Sequence, residues 1–282
     1  MNTIINKNLE LDQLAKGLNY NYSIAKPFPH CVIDDLLNPE LLNQITKEFL
    51  IKNGSHIDFN NPNEKKTALN NWGQFGPQTK KIIKYLNGQT FISFLEKLTG
   101  IENLISDNNL EGGGLHEISR GGYLKIHADF NKHSSLDLDR RLNVLIYLNK
   151  DWQSQWGGDF EMWSKDMKSC IKKVSPVFNR TVIFSTTDYS YHGHPNPLMC
   201  PKGLSRKSIA LYYFSHGRPL DEIQEGLEYH STLFVKRKIS KKDRWMFIYN
   251  LINKLKFKNI VKLLLPAKYI DLIIKNRRGK NK

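Results

Sequence analysis

His127 and Asp129 stand one residue apart in the run Gly-Gly-Tyr-Leu-Lys-Ile-His-Ala-Asp. On an extended strand, alternate side chains share a face, so an imidazole and a carboxylate at this spacing can reach one ion. With a second, distant histidine they form the donor set of a 2-His-1-carboxylate site, which suits Fe(II) and leaves coordination positions open. His-x-Asp alone is a weak signal, and its weight comes from its company. His192 follows the strand Thr181–Ser185 and a Thr-Thr-Asp-Tyr-Ser-Tyr turn. His194 competes with it two residues later. Pro195 marks the end of that strand, which favours His192 as the ligand and leaves His194 as an exposed or supporting histidine.

Arg206 opens the strand Arg-Lys-Ser-Ile-Ala-Leu-Tyr-Tyr-Phe, with Arg206, Ser208, Ala210 and Tyr212 on one face. A guanidinium beside small residues has room for a ligand, and it binds a carboxylate through two parallel hydrogen bonds. Tyr147, in Leu-Ile-Tyr-Leu-Asn, can add a phenolic donor to the same carboxylate; its plain alternative is a core tyrosine with a satisfied hydroxyl.

These residues need a frame. From Leu104 onward, short apolar or period-two segments alternate with Gly and Asn turns, at 114–119, 122–129, 142–149, 159–163, 170–174, 180–185 and 207–215. Many short strands with turn signals predict an all-β sandwich or barrel. Before them, Leu9–Leu18 reads as a short helix and Cys31–Asp34 as a strand. Asn38 is the N-cap of a helix over roughly 39–50, with Pro39 at its first position and Leu41, Leu42, Ile45 and Phe49 on its apolar stripe. Residues 52–77 carry Asn, Gly and Pro repeatedly and read as a long loop, with an active-site lid as one role. Helical spacing returns over 78–99, interrupted at Gly88. Gly112-Gly113-Gly114 reads as a turn, or as a place where chain or substrate approaches closely. The loop Asn131–Asp139 borders the mouth of such a barrel, with His133 solvated. Trp152, Trp156 and Trp163 read as core or rim aromatics.

The chain of 282 residues is 40% hydrophobic and 11% aromatic, which is the composition of a folded protein. No apolar run reaches the roughly 20 residues of a membrane span. Met1–Asp12 lacks a secretory pattern, and Cys31, Cys170 and Cys200 form no C-x-x-C, so each is read as a buried thiol in a cytoplasmic, reducing setting. The formal charge of +15 is unevenly spread. Residues 231–282 hold 16 Lys/Arg against 2 Asp/Glu, whereas residues 1–230 hold 26 against 25. Arguments about acidic partners therefore belong to the tail alone. There, Asp243–Asn253 and Lys254–Leu265 show helical spacing. They read as terminal helices with a solvated basic face or, as the alternative, as a segment lying on an anionic membrane surface. No nucleic-acid-binding module accompanies the charge.

The ordered segments Gly-Gly-Tyr-Leu-Lys-Ile-His-Ala-Asp, Asn-Val-Leu-Ile-Tyr-Leu-Asn-Lys-Asp-Trp, Gly-Gly-Asp-Phe, Asn-Arg-Thr-Val-Ile-Phe, His-Gly-His-Pro and Arg-Lys-Ser-Ile-Ala-Leu-Tyr-Tyr resemble the Fe(II)- and 2-oxoglutarate-dependent oxygenases. Within that superfamily they are most similar to the prolyl 4-hydroxylase-like branch, over about residues 105–218. The resemblance implies a double-stranded β-helix, or jelly roll, over 104–220. Residues 1–103 would brace it with helices, and 221–282 would form a basic helical extension. It further implies His127, Asp129 and His192 as Fe(II) ligands. Arg206, helped by Tyr147, would grip the distal carboxylate of 2-oxoglutarate, and ascorbate would be an accompanying reductant.

The implied reaction consumes dioxygen and hydroxylates an unactivated carbon. A peptidyl proline or other protein side chain is the first expectation, and a small molecule, sugar or lipid intermediate the second. The competing classes are a non-catalytic metal-binding jelly roll and a surface-binding protein. One departure bears on the substrate: Tyr123 lies four residues before His127, where the prolyl hydroxylase pattern needs a one-residue shift, and His116 or Ile118 takes the neighbouring wall position.

Overall fold

The computed structural model describes residues 4–49, 56–225 and 229–237. Its helices are α1 (Leu11–Ile24), α2 (Pro39–Glu48), α3 (Pro77–Leu86) and α4 (Gln89–Thr99). Its strands are β1 (His30–Asp34), β2 (Ile57–Asn60), β3 (Glu64–Leu69), β4 (Ile105–Ser106), β5 (Gly114–Ser119), β6 (Tyr123–Ala128), β7 (Asp139–Tyr147), β8 (Phe160–Trp163), β9 (Cys170–Val174), β10 (Arg180–Ser185), β11 (His192–His194), β12 (Ser205–Ser215) and β13 (Leu233–Phe234). They pair in the order β1-β10-β7-β12-β5-β3-β6-β11-β8-β9, with β13 on β6, β2 on β3 and β4 on β12. The result is a nearly closed antiparallel, jelly-roll-like barrel.

The alternation along β12 shows how two environments share one strand. Ile209, Leu211 and Tyr213 join Leu142, Val144 and Ile146 of β7 in a core shared with Leu42, Ile45, Ile82, Ile83, Phe91 and Leu95 of the helices. Arg206, Ser208 and Tyr212, at the intervening positions, line a cavity inside the barrel. Each fully buried Leu, Ile or Phe contributes roughly 1.5–3 kcal/mol, so the helix-covered face anchors the sheet whose other face carries polar groups.

Local chemistry sets the helix ends. The Asn38 side chain accepts from the backbone N–H of Glu40 and Leu41, and Pro39 occupies the first turn of α2. Gly88 separates α3 from α4, and Gly100, at φ 75°, ends α4 in the left-handed region. Glu48 accepts from the N–H groups of Gln78 and Thr79, so the end of α2 caps the start of α3.

Three expectations need correction. The segment read as a loop over 52–77 holds the hairpin β2–β3, and β3 pairs with both β5 and β6, so this segment is part of the barrel wall. Its sequence hid this because β3, Glu-Lys-Lys-Thr-Ala-Leu, turns Glu64 and Lys66 toward the cavity and so lacks apolar alternation. The first helix runs to Ile24 and not to Leu18, because Tyr22 is buried and its hydroxyl meets the Ser185 hydroxyl at 2.8 Å. Cys31 and Cys200 are buried thiols, but Cys170 is half-buried.

Gly114, at φ 95°, shows why the triple-glycine run matters: a Cβ there would lie 2.3 Å from the Leu69 carbonyl of β3. The close approach is by the chain itself. Beyond Pro219, Leu233–Phe234 return to the barrel as β13, paired with β6. The helical and membrane-surface readings of Asp243–Leu265 lie outside the described residues. Among the described residues, no helix is long and apolar enough to cross a membrane.

Candidate active site

His127 and His192 are directly opposite each other in the β6–β11 pairing, and their ring centroids are 4.5 Å apart. Asp129 follows β6 and reaches both. Its Oδ1 lies 3.6 Å from His127 Nε2 and its Oδ2 lies 3.4 Å from His192 Nε2. One donor atom from each of these residues falls within 4.8 Å of the others, close enough for a single ion to touch all three.

The ring orientations are fixed from behind. His127 Nδ1 meets the Lys125 carbonyl at 2.8 Å, and His192 Nδ1 meets the Ser190 carbonyl at 2.8 Å. A carbonyl only accepts, so each Nδ1 carries a proton, and in the neutral ring Nε2 then keeps its lone pair for a metal. Burial depresses the His192 pKa to about 4, and the neighbouring Asp129 charge offsets only part of that effect, so the imidazole is neutral near pH 7. Phe184 and Phe160 pack on the His192 ring at 4.8 and 5.3 Å, and Phe234 packs on the His127 ring at 5.5 Å. This donor set fits a divalent metal of the Fe(II) kind.

Asp129 is held by residues the sequence did not single out. Asn143 Nδ2 donates to Asp129 Oδ2 at 2.8 Å, and Arg140 Nη2 lies 3.2 Å from the same oxygen. Burial would raise the Asp129 pKa, but Arg140, His192 and His127 outweigh it and hold the carboxyl well below its ordinary range. Arg140 also donates twice to Asn143 Oδ1, and its guanidinium lies over the rings of Tyr212 and Phe130 at 3.4 and 4.3 Å. The strand expected to begin at residue 142 begins at Asp139, which brings Arg140 inside. The only signal in the sequence was that Asn143 shares a face with Tyr147, four residues on.

Arg206 opens onto the same cavity, of ≈ 210 Å³, as His127, Asp129 and His192. Its Nε donates to the Gly158 carbonyl at 2.9 Å and its Nη2 to the Tyr147 hydroxyl at 3.3 Å. Two donors are thus used for positioning, while the remaining N–H groups of the fork are left for a ligand. Tyr147 is fully buried and contacts the site through Arg206 rather than lining the cavity. Burial raises its pKa, which keeps the hydroxyl protonated as a donor.

Tyr123 is absent from the cavity wall. Its hydroxyl donates to the Asn61 carbonyl at 3.1 Å, while His116 and Ile118 line the cavity instead. His133, expected in solvent, is buried against the Phe214 ring, with Glu111 at 3.3 Å and Asp107 at 3.6 Å. It does not line the cavity. His194 is buried as well, and it faces the cavity from the strand of His192. Trp152 and Trp156 meet edge-to-face at 5.3 Å beside Leu198 and Ile118, as rim aromatics.

Residues 113–214 match the sequence model of the 2OG-Fe(II) oxygenase superfamily. Among solved structures, a prolyl hydroxylase from Trichoplax adhaerens, in complex with a hypoxia inducible factor oxygen degradation domain peptide fragment, superposes with a TM-score of 0.52. It is 19% identical, over 72% of this chain and 90% of that one. A prolyl 4-hydroxylase from Phytophthora capsici has a TM-score of 0.50 at 15% identity, over 86% of this chain and 71% of that one. HygX from Streptomyces hygroscopicus, with nickel, 2-oxoglutarate and hygromycin B bound, has a TM-score of 0.50 at 12% identity, over 78% and 97%. The family match falls on the strands that carry His127, His192 and Arg206 and on Asp129 beside them, and over residues 113–214 the chain is similar to the 2OG-Fe(II) oxygenase superfamily, with a fold like that of solved prolyl hydroxylases.

Proposed function

We propose that this chain is a 2-oxoglutarate-dependent Fe(II) dioxygenase that hydroxylates an unactivated carbon. In this reading His127, Asp129 and His192 hold the metal, and Arg206, steadied by Tyr147, holds the distal carboxylate of 2-oxoglutarate. The observation that carries it is the placement of two metal-ready Nε2 atoms, one ionised carboxylate and one partly free guanidinium around a single cavity. When bound, Fe(II) and 2-oxoglutarate supply the oxygen-activating chemistry of the superfamily, with succinate and carbon dioxide as co-products. The chain's own contribution is geometric and electrostatic. Asn143 and Arg140 orient Asp129, the backbone carbonyls orient the imidazoles, and the phenylalanine shell limits water at the reacting centre.

For the substrate, a peptidyl proline or another protein side chain is the first assignment, supported by the likeness to prolyl hydroxylases. A small molecule is the second. It is favoured by the position of Tyr123 outside the cavity and by the likeness to HygX, whose structure holds hygromycin B. The reading is tested by anaerobic titration of the full chain with Fe(II) and 2-oxoglutarate, followed by exposure to oxygen. A weak visible charge-transfer band and succinate formation are expected. Absence of both would refute the enzyme reading. Peptide and metabolite panels, scored by succinate above the uncoupled background, separate the two substrate classes.

A further inference from the structure

His194 is the one buried histidine of the cavity for which neither ring nitrogen has a hydrogen-bond partner among the described residues. His127 and His192 are each tied to a backbone carbonyl through Nδ1, and His116 Nε2 meets the Gly112 carbonyl at 3.1 Å. An unpaired buried polar group costs about 1–3 kcal/mol, so a side chain left this way inside a built cavity points to a ligand that completes it.

Its placement defines the ligand. Gly193 lets β11 approach β6 so closely that a Cβ there would lie 2.8 Å from the carbonyls of both Leu124 and Lys125. The register shifts across this residue, which pairs His192 with His127 and His194 with Leu124. His192 therefore belongs to the His127–Asp129 cluster, while His194 enters the adjoining part of the cavity wall. The charged groups that act on it are led by Arg206 and then Lys66. Lys66 is itself paired with Glu64 at 3.2 Å, so Arg206 is the cation with donors to spare.

Resting on the function proposed above, we infer that His194 is a second donor to the carboxylate that Arg206 binds, and so a co-substrate-positioning residue rather than a metal ligand. An imidazole carries at least one N–H in either protonation state, so this role does not depend on titration. The ligand class is a dicarboxylic 2-oxo acid: one end goes to the metal centre, and the other is received by Arg206 from one wall and His194 from the other. Arg206 alone can bind a carboxylate; His194 adds a contact from a second strand, and so sets the direction in which the acid enters.

The test uses the full chain, titrated anaerobically with Fe(II) and then with 2-oxoglutarate by calorimetry, with wild type, His194→Leu and His194→Gln compared. His194→Leu should weaken 2-oxoglutarate by about tenfold or more, the loss expected for a hydrogen bond to a charged group. His194→Gln, which keeps a donor, should recover most of that loss, and Fe(II) affinity should stay within about twofold in both. In wild type loaded with Zn(II), the ring ¹⁵N resonances of His194 should also shift when 2-oxoglutarate is added, a readout that needs no variant to fold. Unchanged 2-oxoglutarate affinity in His194→Leu, or an unmoved His194 resonance, overturns the inference and leaves the proposed function standing. Loss of Fe(II) binding in both variants also overturns it, by making His194 a ligand. A wild type that binds Fe(II) but no 2-oxoglutarate overturns the functional reading, and this inference with it.

Discussion

Asn143 donates to Asp129 Oδ2 at 2.8 Å while accepting two hydrogen bonds from Arg140 through its own carbonyl oxygen. The amide is therefore locked in one orientation, and Asp129 is presented to the two histidines at a fixed angle. A carboxylate free to rotate would have to be ordered by the metal itself, at an entropic cost.

This relationship predicts that Asn143→Leu weakens metal binding although Asn143 touches no metal. Loss of a hydrogen-bonding partner behind a ligand typically costs about 10–100-fold in affinity. Anaerobic Fe(II) or Co(II) titration would measure it, with a melting curve as control. An affinity equal to wild type would remove Asn143 from the account of the site.

Arg206 should behave in the opposite way. Arg206→Ala removes charge-assisted hydrogen bonds worth on the order of 1.5–3 kcal/mol each, so 2-oxoglutarate should bind at least about tenfold more weakly while the Fe(II) affinity is little changed. Arg206→Lys should not restore binding. A lysine cannot meet the Gly158 carbonyl and the Tyr147 hydroxyl while also presenting a fork to a carboxylate. Full recovery in the lysine variant would contradict the two-point contact.

The strap 229–235 adds a pH-dependent anchor. His230 Nε2 lies 2.9 Å from Asp188 Oδ1, with Arg218 Nη1 3.7 Å from the same oxygen. Burial lowers the His230 pKa, but the Asp188 partner outweighs it, and the net position is above the ordinary 6.5. Burial raises the Asp188 pKa, yet the hydrogen bond from His230 and its other partners bring it below the ordinary 3.8. The histidine contribution is therefore complete below pH 6.5 and is lost as pH rises through the folded pKa. The aspartate contribution is complete above pH 3.8 and is lost as pH falls through its folded value.

Between those limits the strap is most firmly held, and with it Phe234 against His127. Chemical unfolding at pH 6 and pH 8.5 should show a loss in wild type that is smaller in His230→Gln. Asp188→Ala, which strands two buried cations, should cost roughly 3 kcal/mol. Equal pH dependence in wild type and His230→Gln would dismiss the anchor.

Much of the site was legible because its grammar is local. His-x-Asp shares a face through strand alternation, and so do Arg206, Ser208 and Tyr212; no distant information is needed to place either set. The helix over residues 39–48 was equally local, since Asn38 and Pro39 define its start. The hairpin 57–69 was not legible, because β3 turns Glu64 and Lys66 to the cavity where a core strand would carry valine. Arg140 lay outside the strand read over 142–149 and was not singled out. Only the folded chain gives it Asp129 as partner and two aromatic rings to lie against. His133 likewise looked solvent-exposed until Asp107 and Glu111 were brought beside it.

By itself, then, the sequence determined the donor types, their faces and the barrel that displays them, since alternation and turn chemistry act between near neighbours. The tertiary structure decided which histidine meets which partner. Cross-strand register sets His192 opposite His127, and the shift at Gly193 sets His194 opposite Leu124; pairing between residues so far apart in the chain exists only once the strands are aligned.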